Sequence, residues 1–340
     1  GIALAHRRLS ILDFSSTGHQ PMVSASGRYV IVFNGEIYNH NEIRNEVDGN
    51  HYQWKGTSDT ESLLAGIETW GLEVALKKCV GMFALVLWDR KARELLLARD
   101  RMGEKPLYYG NNNGLFFFGS ELKAIKAHPE FQGTVDRDSV ALFMRHNYIP
   151  APYSIYRGIK KLEPGTWLRI PETKFGEASD LTPSQYWSLE EIANQGQINL
   201  FSGSDDDALG ELERLLKQSI RGQMVSDVPL GAFLSGGIDS STVVALMQAQ
   251  SRKPVKTFTI GFDEEGYNEA NYAKEVARHL GTDHTELYVT HKEAIEVIPR
   301  LPALYDEPFS DSSQIPTSLI SQLTRENVTV SLSGDGGDEL

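Results

Sequence analysis

The stretch Leu230–Thr242, LGAFLSGGIDSST, constrains the fold of this chain more than any other. An apolar run, Leu230 to Leu234, leads into Gly236 and Gly237. Asp239, Ser240, Ser241 and Thr242 follow, and then a helical apolar pattern from Val243 to Met247. That order predicts a strand, a tight glycine turn and a helix. Such a turn directs several backbone N–H groups and the positive end of a helix dipole at one point, which suits a phosphate. Hydroxyls of Ser235, Ser240 and Ser241 add donors, and the Asp239 carboxylate is the hard oxygen ligand that magnesium takes. The Lys of the common phosphate loop, G-x-x-x-x-G-K-[ST], is absent from the turn.

The surrounding pattern predicts what the turn belongs to. Helical periodicity over Ala208–Arg221 puts Leu209, Leu212, Leu215, Leu216 and Ile220 on one side. Strand and helix then alternate. Strands are expected at Leu230–Leu234, Val255–Phe262, Thr285–Val289 and Val328–Leu332. Helices are expected at Ser240–Gln250, Asn268–Leu280, Lys292–Tyr305 (broken near Pro299 and Pro302) and Ile315–Arg325. This alternation predicts a doubly wound parallel sheet with ligands at the carboxyl ends of its strands. Thr259–Phe262 and Ser331–Glu339 mark two further strand ends.

The first half differs. Met82–Trp88 and Glu94–Ala98 flank a polar turn, as do Leu107–Tyr109 and Leu115–Phe118, and hairpins of this kind imply antiparallel sheet. Tyr29–Phe33 and Trp167–Ile170 read as further strands. Thr60–Trp70 reads as a helix capped by Ser58 or Asp59, and Asp138–Arg145 as a short helix. Tyr186-Trp187 is expected to pack onto this half. The divisions expected are 1–187, a polar linker 188–206, and 207–340.

Composition narrows the partners. A length of 340 residues favours two domains. The formal net charge of −13 disfavours nucleic acid. Cys79, the single cysteine, excludes an internal disulfide or a cysteine-cluster metal site. It reads as a buried core thiol and fits a reducing compartment. No apolar run reaches membrane-spanning length, so a cytoplasmic location without membrane contact is expected. The chain opens without Met and ends within a motif, so truncation at both ends is expected.

The S-G-G-x-D-S loop resembles the pyrophosphate-binding loop of the ATP pyrophosphatase family. Four pieces of the first half resemble the class II glutamine amidotransferase domain: His6-Arg7-Arg8-Leu9-Ser10-Ile11, Asn34-Gly35-Glu36-Ile37-Tyr38-Asn39, Ser58-Asp59-Thr60-Glu61 and Arg99-Asp100-Arg101-Met102-Gly103. With Asp306-Glu307-Pro308, Asp311-Ser312-Ser313 and Ser333–Glu339 added, the chain resembles the glutamine-hydrolysing asparagine synthetases. The resemblance implies an N-terminal αββα sandwich of the Ntn-hydrolase kind and a C-terminal doubly wound parallel sheet of the adenine nucleotide α-hydrolase kind.

The resemblance also implies roles. Arg8 would clamp the glutamine carboxylate in a two-pronged fork, with Leu9, Ser10, Ile11 and Leu12 beside it. Glu36 and Asp59 would take the α-ammonium. The Asn34 side chain and the Gly35 N–H would form the oxyanion hole. Phe233, Leu234 and Ile260 would line the adenine and ribose site. Ser235, Gly236, Gly237, Asp239 and Ser240 would hold pyrophosphate, and Ser333 and Gly334 would touch the nucleotide. Asp239 and Asp338 would hold Mg2+. Asp335 stands where many asparagine synthetases carry Glu, a site associated with forming the aspartyl-adenylate. The family nucleophile is an N-terminal cysteine, whereas residue 1 here is Gly.

The expected activity is ATP-dependent amidation of aspartate to asparagine, with glutamine as nitrogen donor and AMP and pyrophosphate as products. A homodimer is compatible with it. Relatives acting on another carboxylate, a polysaccharide sugar acid or a β-lactam precursor, fit the same residues. So does a protein that only binds glutamine and nucleotide. Transfer-RNA thiolation also uses such a loop, but the acidic charge and the lone cysteine argue against it.

Overall fold

The computed structural model of the chain describes residues 1–9, 11–48, 52–177, 181–262 and 269–337. It divides into two compact units. One comprises Gly1–Leu200 and Tyr305–Ser310, the other Phe201–Leu304 and Asp311–Leu340.

The first unit carries strands β1 (Met22–Val23), β2 (Tyr29–Ile37), β3 (Gly81–Asp89), β4 (Glu94–Arg99), β5 (Tyr108–Asn112), β6 (Leu115–Gly119), β7 (Ile159–Lys161), β8 (Thr166–Pro171) and β9 (Ser184–Gln185). Its helices are α1 (His40–Asp48), α2 (Asp59–Trp70), α3 (Leu72–Lys78), α4 (Leu122–Lys126), α5 (Arg137–His146) and α6 (Leu189–Ile198). Six strands form one sheet in the order β1-β2-β3-β4-β8-β9, and three form another, β6-β5-β7. All pairings in both are antiparallel.

Side-chain alternation on β3 shows how the layers arise. Phe83, Leu85 and Leu87 enter one core with Ile43, Leu63 and Leu76 of α1–α3. Ala84, Val86 and Trp88 point the other way, into a core with Leu97, Tyr109 and Leu162. Burying each of the large side chains contributes about 1.5–3 kcal/mol. A third cluster, including Tyr108, Leu122 and Ile159, joins the second sheet to α4. The order of layers is helix, sheet, sheet, helix, which is the αββα sandwich expected. Tyr186 is buried in the first core, and its hydroxyl donates to the Arg99 carbonyl at 2.9 Å.

The second unit carries α7 (Asp205–Gln223), β10 (Leu230–Phe233), α8 (Ile238–Gln250), β11 (Lys256–Phe262), α9 (Ala270–Leu280), β12 (Asp283–Val289), α10 (His291–Val297), α11 (Leu301–Leu304), α12 (Gln314–Arg325) and β13 (Val330–Leu332). The sheet runs β12-β11-β10-β13 and every pair is parallel. Its core gathers Ala232, Leu234, Val244, Met247, Ala273 and Leu332. Alternating strands and helices thus build the parallel sheet predicted. Gly281, in the left-handed region at φ 72°, ends α9.

Three features differ from these expectations. The polar stretch 188–206, expected as linker, contains α6, whose cap Ser188 accepts the Glu191 N–H at 3.1 Å. The leucines of α7 do not pack as expected. Leu209, Leu212 and Leu215 are exposed, and Ile220 alone is buried among the residues of that helix. The first unit also takes back a short piece of distant chain. Glu307 accepts from the Ile155 N–H at 2.7 Å and pairs with the Lys161 ammonium at 2.5 Å, and the Ser310 N–H donates to the Asn147 carbonyl at 2.8 Å. The expected start of α9 at Asn268 lies outside the described residues.

Candidate active sites

In the first unit a cavity of about 1080 Å³ opens between the sheets. Val32, Ala84 and Val86 line its apolar side. Arg8, Asn34, Gly35, Glu36 and Asp59 line its polar side. These five sequence-predicted residues come from three separate segments, and the fold brings them together. Leu9, Ile11 and Leu12 line the same cavity, with Leu9 largely exposed; Ser10 lies outside the described residues.

Asn34, Gly35 and Glu36 occupy consecutive positions on β2, opposite Ala84, Phe83 and Met82 of β3. Gly35 has φ 154°, and a Cβ there would lie 2.0 Å from the Met82 carbonyl oxygen, so no other residue fits. Alternation would turn Asn34 and Glu36 to the same face. The Asn34 amide donates from Nδ2 to Ser120 Oγ at 3.0 Å. Ser58, rather than Asp59, caps α2, its Oγ accepting the Glu61 N–H at 3.2 Å. Asp59 is thereby left to accept the N–H groups of Ile37 at 3.0 Å and Thr60 at 2.7 Å.

Arg8 is held by its own loop. Its Nη2 donates to the Leu12 and Asp13 carbonyls, each at 2.7 Å. Asp13 in turn organises that loop, accepting the Ser15 N–H at 3.0 Å and the Thr57 N–H at 3.0 Å. Against its burial, these hydrogen bonds and those from the Ser15 and Thr17 hydroxyls hold the Asp13 carboxyl down at about 2. On the other flank, Asp100 is fully buried and accepts the N–H groups of Phe83, Glu104 and Lys105 at 2.9–3.1 Å. That clamp ties the loop carrying Lys105, a cavity residue, to the strand beside Gly35.

Glu36 is electrostatically the least comfortable group here. It is 6% exposed, and its Oε1 is buried without a hydrogen-bond partner. Burial first, and then the Asp59 carboxylate, push it up from 4.5 to about 7. The folded chain therefore holds this proton more tightly than the unfolded chain. Stability present at low pH is lost as the pH rises from about 4.5 through 7. Glu36→Gln is thus expected to raise the melting temperature at pH 8 by roughly 2–6 °C, with the gain shrinking towards pH 5. Thermal melts at the two pH values check this. A variant melting below wild type at pH 8 would mean that ionised Glu36 is satisfied within the fold.

Cys79 is 2% exposed, and burial pushes its thiol up to about 12, so it is inert as a nucleophile. Sequence reasoning missed Ser120, Lys105 and Gln20 as cavity residues. Gln20 holds the Phe33 backbone from both sides, accepting its N–H at 2.6 Å and donating to its carbonyl at 3.0 Å. Ser120 stands between an apolar strand and a helix, where a serine reads as a cap.

In the second unit the glycine turn joins β10 to α8. Gly236, at φ 85°, packs so closely on α9 that a Cβ would lie 2.7 Å from the Ala273 nitrogen. The Ser235 and Ser240 hydroxyls meet at 2.8 Å, and the Gly237 N–H donates to Ser235 Oγ at 3.2 Å, which ties the turn across its mouth. No side chain caps α8, so its first N–H groups stay available to an anion. Gly334 and Gly337 lie directly over this helix end. A Cβ on Gly334 would be 2.7 Å from the Ser240 nitrogen, and one on Gly337 would be 2.9 Å from Asp239 Oδ1. Ser333 Oγ donates to Asp335 Oδ2 at 3.0 Å. The sheet thus brings Ser235–Ser240 beside Ser333–Gly337, far apart in sequence. Phe233 is half-buried at the strand end. The side chains of Leu234 and Ile260 are buried. Asp338 lies outside the described residues.

Residues 1–187 match the model of the glutamine amidotransferase domain, and residues 211–340 that of asparagine synthase. The chain belongs to the glutamine-hydrolysing asparagine synthetase family. It is 34% identical to asparagine synthetase [glutamine-hydrolyzing] 1 of Bacillus subtilis, over 100% of this chain and 51% of the relative. It is 30% identical to asparagine synthetase [glutamine-hydrolyzing] 3 of the same organism, over 100% of this chain and 56% of the relative. Amidase chyE of Penicillium rubens is 29% identical over 99% of this chain and 50% of the relative. The chain spans about half to two thirds the length of such family relatives. Among the described residues no helix is long and apolar enough to cross a membrane.

Proposed function

We propose that the chain takes part in ATP-dependent, glutamine-hydrolysing amide synthesis, converting aspartate to asparagine through an aspartyl-adenylate with release of AMP and pyrophosphate. One observation carries it: a single cavity gathers a guanidinium, two carboxylates and the Asn34-Gly35 pair. Glutamine presents a carboxylate for Arg8 and an α-ammonium for Glu36 and Asp59. Its side-chain carbonyl would develop negative charge opposite the Asn34 amide and the Gly35 N–H. An ammonium also resolves the awkward chemistry of Glu36, because a cation favours the ionised carboxyl. Glutamine affinity should accordingly fall below pH 7.

ATP belongs at the end of α8. The uncapped N–H groups, the tied serines and the two glycines above them suit a pyrophosphate. Asp239 fits a magnesium ion, since the missing Cβ of Gly337 leaves room beside its carboxylate. Asp338 would be the second carboxylate. The metal would neutralise phosphate charge. Asp335 would act in forming the adenylate, with Phe233, Leu234 and Ile260 around the adenosine. The components are small molecules in a cytoplasmic enzyme.

Asp335 and the similarity to an amidase favour a second reading, the same chemistry on another carboxylate. One experiment separates these. The whole enzyme is given glutamine, magnesium and ATP, with aspartate or with other acids, and pyrophosphate and asparagine are measured. Pyrophosphate release that requires aspartate and yields asparagine supports the first reading. Release with another acid alone supports the second. Release with none points to a binding protein.

A further inference from the structure

The strongest unexplained feature of the first unit is the short strap Tyr305–Ser310. It belongs to this unit although the residues on both its sides belong to the other. Asp306, Glu307 and Ser310 bond to the rest of the unit. Glu307 is buried among the Lys161 ammonium, the Ile155 N–H and, at 3.4 Å, the Tyr108 hydroxyl. Ser310 binds the Asn147 carbonyl. Asp306 does the work of a helix cap. Its Oδ2 accepts the Leu122 N–H at 2.5 Å and its Oδ1 the Lys123 N–H at 3.3 Å. The α4 helix has no side-chain cap of its own, because the residue in that position, Glu121, makes no such bond. Its exposed N–H groups are satisfied by a carboxylate 184 positions later in the sequence.

The start of α4 matters because Ser120 precedes it. Ser120 Oγ accepts from the Asn34 amide and lines the cavity. A side-chain amide rotates about a soft terminal torsion, so a partner must choose its orientation. We propose that Ser120 and Asp306 are positioning residues for glutamine hydrolysis: Asp306 fixes the first turn of α4, that turn fixes Ser120, and Ser120 aims the Asn34 amide at the reacting carbonyl. The second half of the chain thereby supports one part of the glutamine site through a side chain, the Asp306 carboxylate. This inference rests on the amidotransferase function proposed for the first unit.

The test is steady-state glutamate release by the whole enzyme. Ser120→Ala is expected to lower kcat about 10-fold, the effect of about 1.4 kcal/mol in the transition state, with KM within a factor of two. Ser120→Thr, which keeps the hydroxyl, is expected to stay near wild type. Asp306→Ala should lower kcat similarly, and Asp306→Asn should restore most of it, since Asn caps as well as Asp. The double variant Ser120→Ala, Asp306→Ala should be no slower than either single variant, because the two act in series. An unchanged kcat in Ser120→Ala overturns the inference, as does a double variant whose losses multiply. Thermal melts identify an Asp306→Ala that is merely unfolded, and the serine variants then decide alone. A wild type that releases no glutamate overturns the amidotransferase function, and the inference with it.

Discussion

Asp239→Asn is expected to abolish pyrophosphate release while glutamine hydrolysis continues near the wild-type rate. The carboxylate stands on the first turn of α8, beside the loop that leads into Asp338. Magnesium takes hard oxygen ligands and keeps several waters, so it needs few but charged protein ligands. An amide keeps the shape and removes the charge. Without the metal, phosphate oxygens would face carboxylates at close range, a repulsion of roughly 1–4 kcal/mol per pair. Losing one electrostatic stabiliser of developing charge typically costs about 10²–10³ in rate. Asp338→Asn should behave alike. Pyrophosphate and glutamate are measured side by side in each variant. Pyrophosphate formed at the wild-type rate by Asp239→Asn would remove the metal from the glycine turn. A parallel collapse of glutamate release would mean that the substitution had damaged more than its own unit.

Gly35→Ala should be among the most destructive single methyl additions in the first unit. The new Cβ would lie 2.0 Å from the Met82 carbonyl oxygen and 2.6 Å from the Phe83 Cα, both backbone atoms of the paired strand. Both belong to the paired stretch of β3, and Phe83 is held on its other side by Asp100, which accepts its N–H at 3.1 Å and donates its own to the Phe83 carbonyl at 2.8 Å. The expected loss is more than about 4 kcal/mol, the range reserved for a steric conflict without relief. Gly114→Ala is the control. Its φ of 76° is left-handed too, but nothing lies within 4 Å of the new methyl, so only backbone strain of about 1–2 kcal/mol is expected. Urea unfolding of both variants gives the comparison. Equal losses would show that β2 and β3 separate easily at this point, and the rigid pairing behind the Asn34-Gly35-Glu36 row would fall.

How far these features can be read in advance depends on whether the information is local. The layers of the first unit are legible in strand β3, where alternate residues already belong to two different cores. The parallel sheet is legible because strand and helix periods alternate. Helices α1 and α6 are not, since HNEIRNEVD and LEEIANQGQI offer too few apolar positions to show a period. The α7 leucines have the period but stay exposed, so a helical pattern predicts the helix and not its cover. In the cavity of the first unit, Arg8, Asn34, Gly35, Glu36 and Asp59 stand out as short polar motifs. Ser120 does not. Its partner is 86 positions away, and no local spacing marks a bond of that reach.

The strap has a consequence for how the chain is made. By the time residue 200 has emerged from a ribosome, both sheets of the first unit and the helices packed on them exist as sequence. Two of the contacts still missing are the anion beside Lys161 and the cap on α4. Both arrive with Asp306 and Glu307, more than a hundred residues later. At about 5–20 residues per second, that interval lasts roughly 5–20 s. For that time a nearly complete domain holds a partly buried lysine whose ammonium has the Ile149 carbonyl but lacks its carboxylate. The first unit therefore reaches its full stability only after most of the described second unit has been synthesised. Its folding is timed by the domain that follows it.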